Sequence, residues 1–391
     1  MSEDGLPVAS SSQPSKPVRE RFMALDLLRG FDMLFLCVGV PMISAAAQAW
    51  GFDTPWLRRQ LSHPDWIGFS CLDLVMPMFI FMCGAAVPFA LRKRLGPDGR
   101  ATWAFWRHVA GRVALLWVLG MVAQGRLLEF DLAVLSPFNN TLQTIACGYA
   151  IAALALLIRR RWLRVALPFA LAAAYTLAFA SAGNDYTPDG NVAIRFEEWF
   201  VKLVMPAANR AFEIMDPHYT WWFTIPMYGA MTLCGFEATE ILRSDRTAIR
   251  RAATVAGLGA ALLLGGLALE WLGIPCVKHV FTASFTAQAM GWCLGFYALL
   301  FTLTDILRVR RGWWLVTLFG ETALAAYMLG EVFPGVLYRA AELFTVGILP
   351  RFPESRGFIL ATVASATLTF ALWVWRRARR TSEARGCRVG V

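Results

Sequence analysis

Ten stretches of mostly apolar residues alternate with short polar segments, with approximate cores at 23–48, 67–91, 102–124, 138–158, 163–182, 219–242, 252–272, 279–304, 314–338 and 357–375. A helix of roughly 20 apolar residues matches the hydrocarbon thickness of a bilayer. The pattern predicts an all-α integral membrane protein, a polytopic bundle of about ten transmembrane helices. Residues 1–21 are rich in Ser and Pro and lack the apolar core of a signal peptide, so a disordered cytoplasmic tail is expected there. Residues 22–376 are expected to form one membrane domain, and 377–391 a basic cytoplasmic tail. The 183–218 segment is too long for a simple connection. Within it, R-F-E-E-W-F-V-K-L-V-M has amphipathic spacing suited to the membrane surface. The segment could lid a cavity, with His218 contributing, and the following Trp221 and Trp222 suit an interfacial aromatic belt.

Composition agrees with the pattern. Hydrophobic residues make up 57% of the chain and charged residues 16%, against about 25% charged in soluble proteins. The net charge of +10 is explained by where it sits, so no nucleic-acid partner is expected. With a cytoplasmic N-terminus, the inner segments hold 24 Lys and Arg and the outer segments 10, which predicts both termini inside. Arg29, Arg107 and Arg112 fall within spans. The cysteines form no metal-ligand or disulfide pattern, no phosphate-binding glycine motif is present, and no metal is expected.

This orientation sets His63 on the outer face, at the head of S-H-P-D-W-I-G-F-S-C-L-D-L-V-M-P-M-F-I-F-M-C-G. Ionisable groups at such a boundary are expensive and usually functional. Asp73 lies ten residues on, about 15 Å away along a straight helix. That distance assigns Asp73 to packing, or to pairing with Arg29 or another buried donor, rather than to His63. In L-D-L-L-R-G-F-D-M, Asp26 and Asp32 lie three residues either side of Arg29, which they could neutralise within one helix. Arg29 is a candidate for holding a phosphate-bearing ligand, with Asp26 beside it, and Gly30 would allow close approach of another backbone. After Pro275, Lys278 and His279 stand level with His63, and Thr282, Ser284 and Thr286 carry hydroxyls down the next helix. Asn139 and Asn140 suit helix capping, whereas Gln143 lies deeper and needs a buried partner.

Four patches together resemble the transmembrane N-acetyltransferases typified by heparan-alpha-glucosaminide N-acetyltransferase and its bacterial relatives. They are R-F-M-A-L-D-L-L-R-G-F-D-M, the His63-to-Gly84 string, L-Q-T-I-A-C-G-Y and I-P-C-V-K-H-V-F-T-A-S-F. D-P-H-Y-T-W-W-F-T-I-P and F-G-E-T-A-L-A-A-Y are weaker echoes; the chain departs from the pattern at Thr144, His279 and Thr322. The resemblance implies an enzyme that moves an acetyl group from cytoplasmic acetyl-CoA to an amino sugar or glycan outside, with His63 catalytic. Arg29, Asp26 and Gln143 would then hold acetyl-CoA, and Trp66, Lys278, His279 and Ser284 the acceptor. Asp73 and Asp32 would be structural buried charges. A compact bacterial member of the inner membrane is implied, with the lipid bilayer as a partner and a homodimer left open. A sugar transporter or flippase, and an inactive relative acting in envelope polysaccharide assembly, are the rival readings.

Overall fold

The computed structural model describes residues 22–207 and 219–386; the 1–21 tail, His218 and Cys387 lie outside them. Helices account for the described fold, and its β pairing is confined to the isolated bridges Ile67–Val277 and Leu95–Ala101. Seven helices among the described residues are long and apolar enough to cross a membrane. They are α1 (Met23–Trp50), α3 (Leu72–Arg94), α4 (Trp103–Ala123), α6 (Arg161–Ser181), α9 (Ala248–Trp271), α10 (Ala283–Ile306) and α14, whose span is Arg356–Thr381. The short α2 (Pro55–Gln60) joins α1 to α3. The remaining helices are α5 (Thr141–Leu156), α7 (Val192–Val204), α8 (Ile225–Leu242) and α13 (Pro334–Thr345), with a broken pair, α11 (Trp314–Glu321) and α12 (Ala323–Val332). That pair turns through 84° at Thr322 and would make an eighth span if counted as one.

The most enclosed helices are α3, α5 and α8, which pack on one another at the centre. Their position explains why α8 tolerates charge. Glu237 pairs with Arg164 of α6, and Glu240 with Arg92, so carboxylates that lipid would penalise are answered by protein. Close approach is set by small residues. A Cβ on Gly84 would lie 1.7 Å from the Thr232 carbonyl oxygen, which lets α3 and α8 cross backbone to backbone. Gly30 plays the same part for α1 and α11, where a Cβ would meet the Val316 oxygen at 1.9 Å, as its sequence context suggested.

The last helix does not stop at residue 376. It continues as one 31-residue helix to Gly386, because neither Pro nor Gly interrupts the Arg- and Ala-rich continuation. Arg376 and three arginines of the expected tail (Arg377, Arg379 and Arg380) therefore stand on one continuous helix. In the 183–218 segment, α7 forms over the amphipathic stretch, and Glu197 anchors it to the chain beyond. Its carboxylate accepts backbone N–H groups of Trp221, Trp222 and Phe223 at 3.0–3.3 Å. Trp221 packs inward against Tyr219 and Phe138 and is buried, rather than standing in an interfacial belt.

Candidate functional site

The sequence predicts that His63 and Asp73 stand far apart, and the structure reverses this. His63 Nδ1 lies 2.6 Å from Asp73 Oδ1. The reason is local. Residues 61–71 are not helical; α3 begins at Leu72 with Ser70 just before it. Ser70 N donates to Asp73 Oδ2 at 3.0 Å, and Asp73 N donates back to Ser70 Oγ at 3.3 Å. This reciprocal pair is the capping box that S-x-x-D forms at a helix start. Before it, Gly68 has φ of +141°, a value few other residues adopt, and its N–H bonds the Cys276 carbonyl at 2.9 Å. The chain thus doubles back, and ten residues of sequence close to one hydrogen bond.

The same fold-back brings in Lys278. The Ile67–Val277 bridge docks the 276–282 turn beside His63, and Lys278 Nζ lies 3.2 Å from Asp73 Oδ1. It also lies 3.1 and 3.2 Å from the two imidazole nitrogens. Asp73 thus divides its oxygens, Oδ2 serving the helix cap and Oδ1 serving His63 and Lys278. An ammonium only donates, so the Nδ1 proton belongs to the bond with Asp73, which leaves Nε2 as the basic nitrogen. Asp73 is fully buried, whereas the His63 side chain is 49% exposed. Burial pushes the Lys278 ammonium below its ordinary pKa, while Asp73 pulls it back up. At 3.2 Å the Asp73–Lys278 attraction is about 5 kcal/mol with an effective dielectric of about 20. Asp73 is not paired with Arg29.

Around this trio stands an aromatic wall. Trp66 stacks on His279 at 5.1 Å and donates its indole N–H to the Tyr186 carbonyl at 2.8 Å. Tyr219 meets the other side of His279 edge-on at 5.3 Å and stacks on Trp221 at 4.5 Å. The structure thus brings His63, Trp66, Lys278 and His279 into one neighbourhood. Tyr219 joins them unannounced by the sequence. Phe281, which closes the turn, holds φ of +43°, an uncommon state for a bulky residue, and is fixed by buried contact with Tyr228 and Phe285.

Two expected site residues are occupied elsewhere. Ser284 is buried and donates to the Pro275 carbonyl at 2.8 Å beside Thr282, which caps α10 by accepting from Phe285 N. Both hydroxyls shape the Lys278 turn instead of facing an acceptor. Gln143 donates to Pro137 O and accepts from Asn139 N at 3.0 Å, so its amide braces the turn before α5 instead of meeting a cofactor. Asn140 caps that helix through Leu142 N. Cys71, placed by sequence inside a span, is exposed beside the fold-back.

A second constellation lies at the opposite end of α1, about 30 Å from Trp50 by helix rise. Arg29 reaches back to Asp26 at 3.4 Å, the direction in which helical side chains lean. Asp32 is left out of that pair, buried with Oδ2 unbonded. Asp26, Arg29, Glu321, Arg376, Arg379 and Arg380 line a cavity of about 250 Å³. Arg29, Gly320 and Glu321 are shared with a second cavity of about 320 Å³, which passes Arg112 and reaches Thr141 and Tyr327. The first cavity thus adjoins a second that extends from Arg29 to the N-terminal turn of α5 at Thr141 and Leu142. Glu321 already pairs with Arg376 at 2.7 Å and with Arg380 at 3.3 Å, as Asp26 does with Arg29, so the lining is a mixed network of four arginines and two carboxylates whose net positive charge suits an anionic group. Sequence reasoning missed Arg112, which it left within a span, and the α14 arginines, of which it assigned Arg379 and Arg380 to a tail. No family model matches the chain, and no curated protein matches it.

Proposed function

We propose that the protein is a transmembrane acetyltransferase, taking an acetyl group from acetyl-CoA at its basic end and passing it to an amino sugar or glycan at the His63 end. The supporting observation is the His63–Asp73–Lys278 trio, an imidazole oriented by a buried carboxylate with a cation beside it. Orienting carboxylate, base and cation is the arrangement that acyl transfer needs. The finer topology belongs to this reading. With α5, α8 and the broken α11–α12 pair counted beside the seven long helices, the bundle has about ten spans and both termini in the cytoplasm.

In this reading His63 Nε2 takes the proton from the acceptor amine as its nitrogen attacks the thioester carbonyl. Asp73 holds the ring through Nδ1 and balances the imidazolium that forms. Lys278 turns an N–H from Nε2 to the carbonyl oxygen, where negative charge develops. The carbon–nitrogen bond forms, the carbon–sulfur bond breaks, and His63 returns its proton to the departing thiolate. Trp66 and Tyr219 offer aromatic faces to the sugar ring, while Arg29, Arg376, Arg379 and Arg380 would hold the phosphates of acetyl-CoA.

A test uses purified protein, radiolabelled acetyl-CoA and a panel of glucosaminides, comparing wild type with His63→Ala. Acceptor-dependent label that the substitution abolishes supports the proposal, and label-free acceptors across the panel would sink it. The 84° break at Thr322, beside the basic cavity, favours transport as a second reading, because interrupted helices commonly line translocation sites. Glucosaminide uptake into vesicles without acetylation would select it.

A further inference from the structure

A groove of about 540 Å³ runs along α1, the start of α3 and α10, a volume usual for a ligand site. Its walls include Phe31, Trp292, Phe296 and Leu299, each two-fifths to one-half exposed. On helices long and apolar enough to span a bilayer, such side chains face hydrocarbon. The groove therefore opens sideways into lipid, where an occupant with polar groups along its length would lose hydrogen bonds it could not replace. One end is different. There the lining is Gln60, Ser70 and Cys71, and Ser70 is the residue that boxes Asp73 of the proposed catalytic trio. The far end closes at Trp313, and Asp32 alone interrupts the apolar shaft between. Polar end at the reaction site and apolar shaft in the membrane together match an amphiphile held with its head toward His63.

We propose that the acceptor is lipid-anchored, its hydrocarbon chain lying in this groove while its amino-sugar head meets His63. The inference rests on the acetyltransferase reading and narrows its substrate class to a membrane-bound glycolipid rather than a free glycan. The groove delivers the head group along the membrane plane, so that binding of the chain positions the amine.

The test uses the full chain in lipid nanodiscs with two probes that share one head, methyl glucosaminide and dodecyl glucosaminide. Leu299→Trp fills the groove from its lipid side without touching the trio. Wild type is expected to show a KM for the dodecyl probe at least tenfold below that for the methyl probe. In the Leu299→Trp variant that advantage should vanish while methyl-probe kinetics stay unchanged. Because dodecyl chains also concentrate in any bilayer, an advantage that survives Leu299→Trp overturns the proposal, as does equal KM in wild type. If neither probe is acetylated, the acetyltransferase reading fails, and binding of a fluorescent dodecyl glucosaminide decides the groove separately. Binding lost in Leu299→Trp supports a chain site there, and binding equal in both proteins refutes it.

Discussion

Replacing Asp73 with Asn removes one charge while nearly preserving shape, and two separable losses should follow. In the first, Asn no longer dictates that His63 carry its proton on Nδ1 across the 2.6 Å contact. An imidazole in the wrong tautomer cannot present Nε2 as a base, and loss of an orienting carboxylate lowers acyl-transfer rates by about 10⁴-fold, or about 5 kcal/mol. We expect kcat to fall about 10³- to 10⁴-fold, with acetyl-CoA affinity unchanged because the cavity proposed for that ligand lies at the far end of α1. In the second, Lys278 keeps a buried ammonium that has lost its partner at 3.2 Å. Stranding one member of a buried pair typically removes about 3–5 kcal/mol of stability. The double variant Asp73→Asn/Lys278→Met discharges both, so thermal unfolding should return toward wild type while the rate stays low. Steady-state acetylation and unfolding in detergent, measured on all four proteins of the cycle, separate the two effects. Asp73→Asn activity within about threefold of wild type, with the protein folded, would refute the dyad.

At the basic cavity, Arg379→Gln should weaken acetyl-CoA binding about 10- to 100-fold, the worth of one charge-assisted hydrogen bond, as isothermal titration would register. Gly84→Ala should destabilise the bundle by at least about 3 kcal/mol, seen as lost monodisperse yield, since its Cβ would fall 1.7 Å from the Thr232 oxygen. Glu197 supplies a pH test. Burial, against its backbone hydrogen bonds, raises its carboxyl from 4.5 to about 7. The folded state therefore holds the proton more tightly, and the associated stability is full below about pH 4.5 and lost as pH rises through about 7. The swing is of order 3 kcal/mol. Unfolding temperatures from pH 5 to 8 should slope downward in wild type and flatten in Glu197→Gln, whose amide oxygen replaces one of the two accepting carboxylate oxygens while its NH2 cannot replace the other.

Much of the architecture is readable from hydrophobic run lengths alone, because lipid demands long apolar helices whatever their packing. What run length hides is where a span starts or breaks. The 67–91 stretch is predominantly apolar, yet its helix begins only at Leu72. The signal was present in S-C-L-D, the box formed by Ser70 and Asp73, which marks a helix start and so forbids a straight helix from His63. The break at Thr322 has no proline or glycine at the hinge residue itself; two residues earlier Gly320 packs directly on α1, where a Cβ would lie 2.2 Å from Asp26 O. Type and depth set Lys278 and His279 level with His63, and the resemblance added Trp66; depth along the chain survives folding. Ser284 and Gln143 misled because backbone satisfies a polar side chain near a site as well as a ligand does, and here Pro275 and Pro137 carbonyls claim them. Tyr219 could not be foreseen, since its ring reaches His279 only through the loop that Glu197 gathers.

Transfer between opposite ends of the bundle through His63 is what distinguishes the proposed enzyme from a one-sided acetyltransferase. Sealed vesicles bearing the protein in one orientation, loaded with radiolabelled acetyl-CoA and bathed in dodecyl glucosaminide, measure it directly. N-acetylated product is expected in the outer leaflet from wild type and none from His63→Ala. Product formed only when donor and acceptor share one side, or at the same rate without the imidazole, would contradict it.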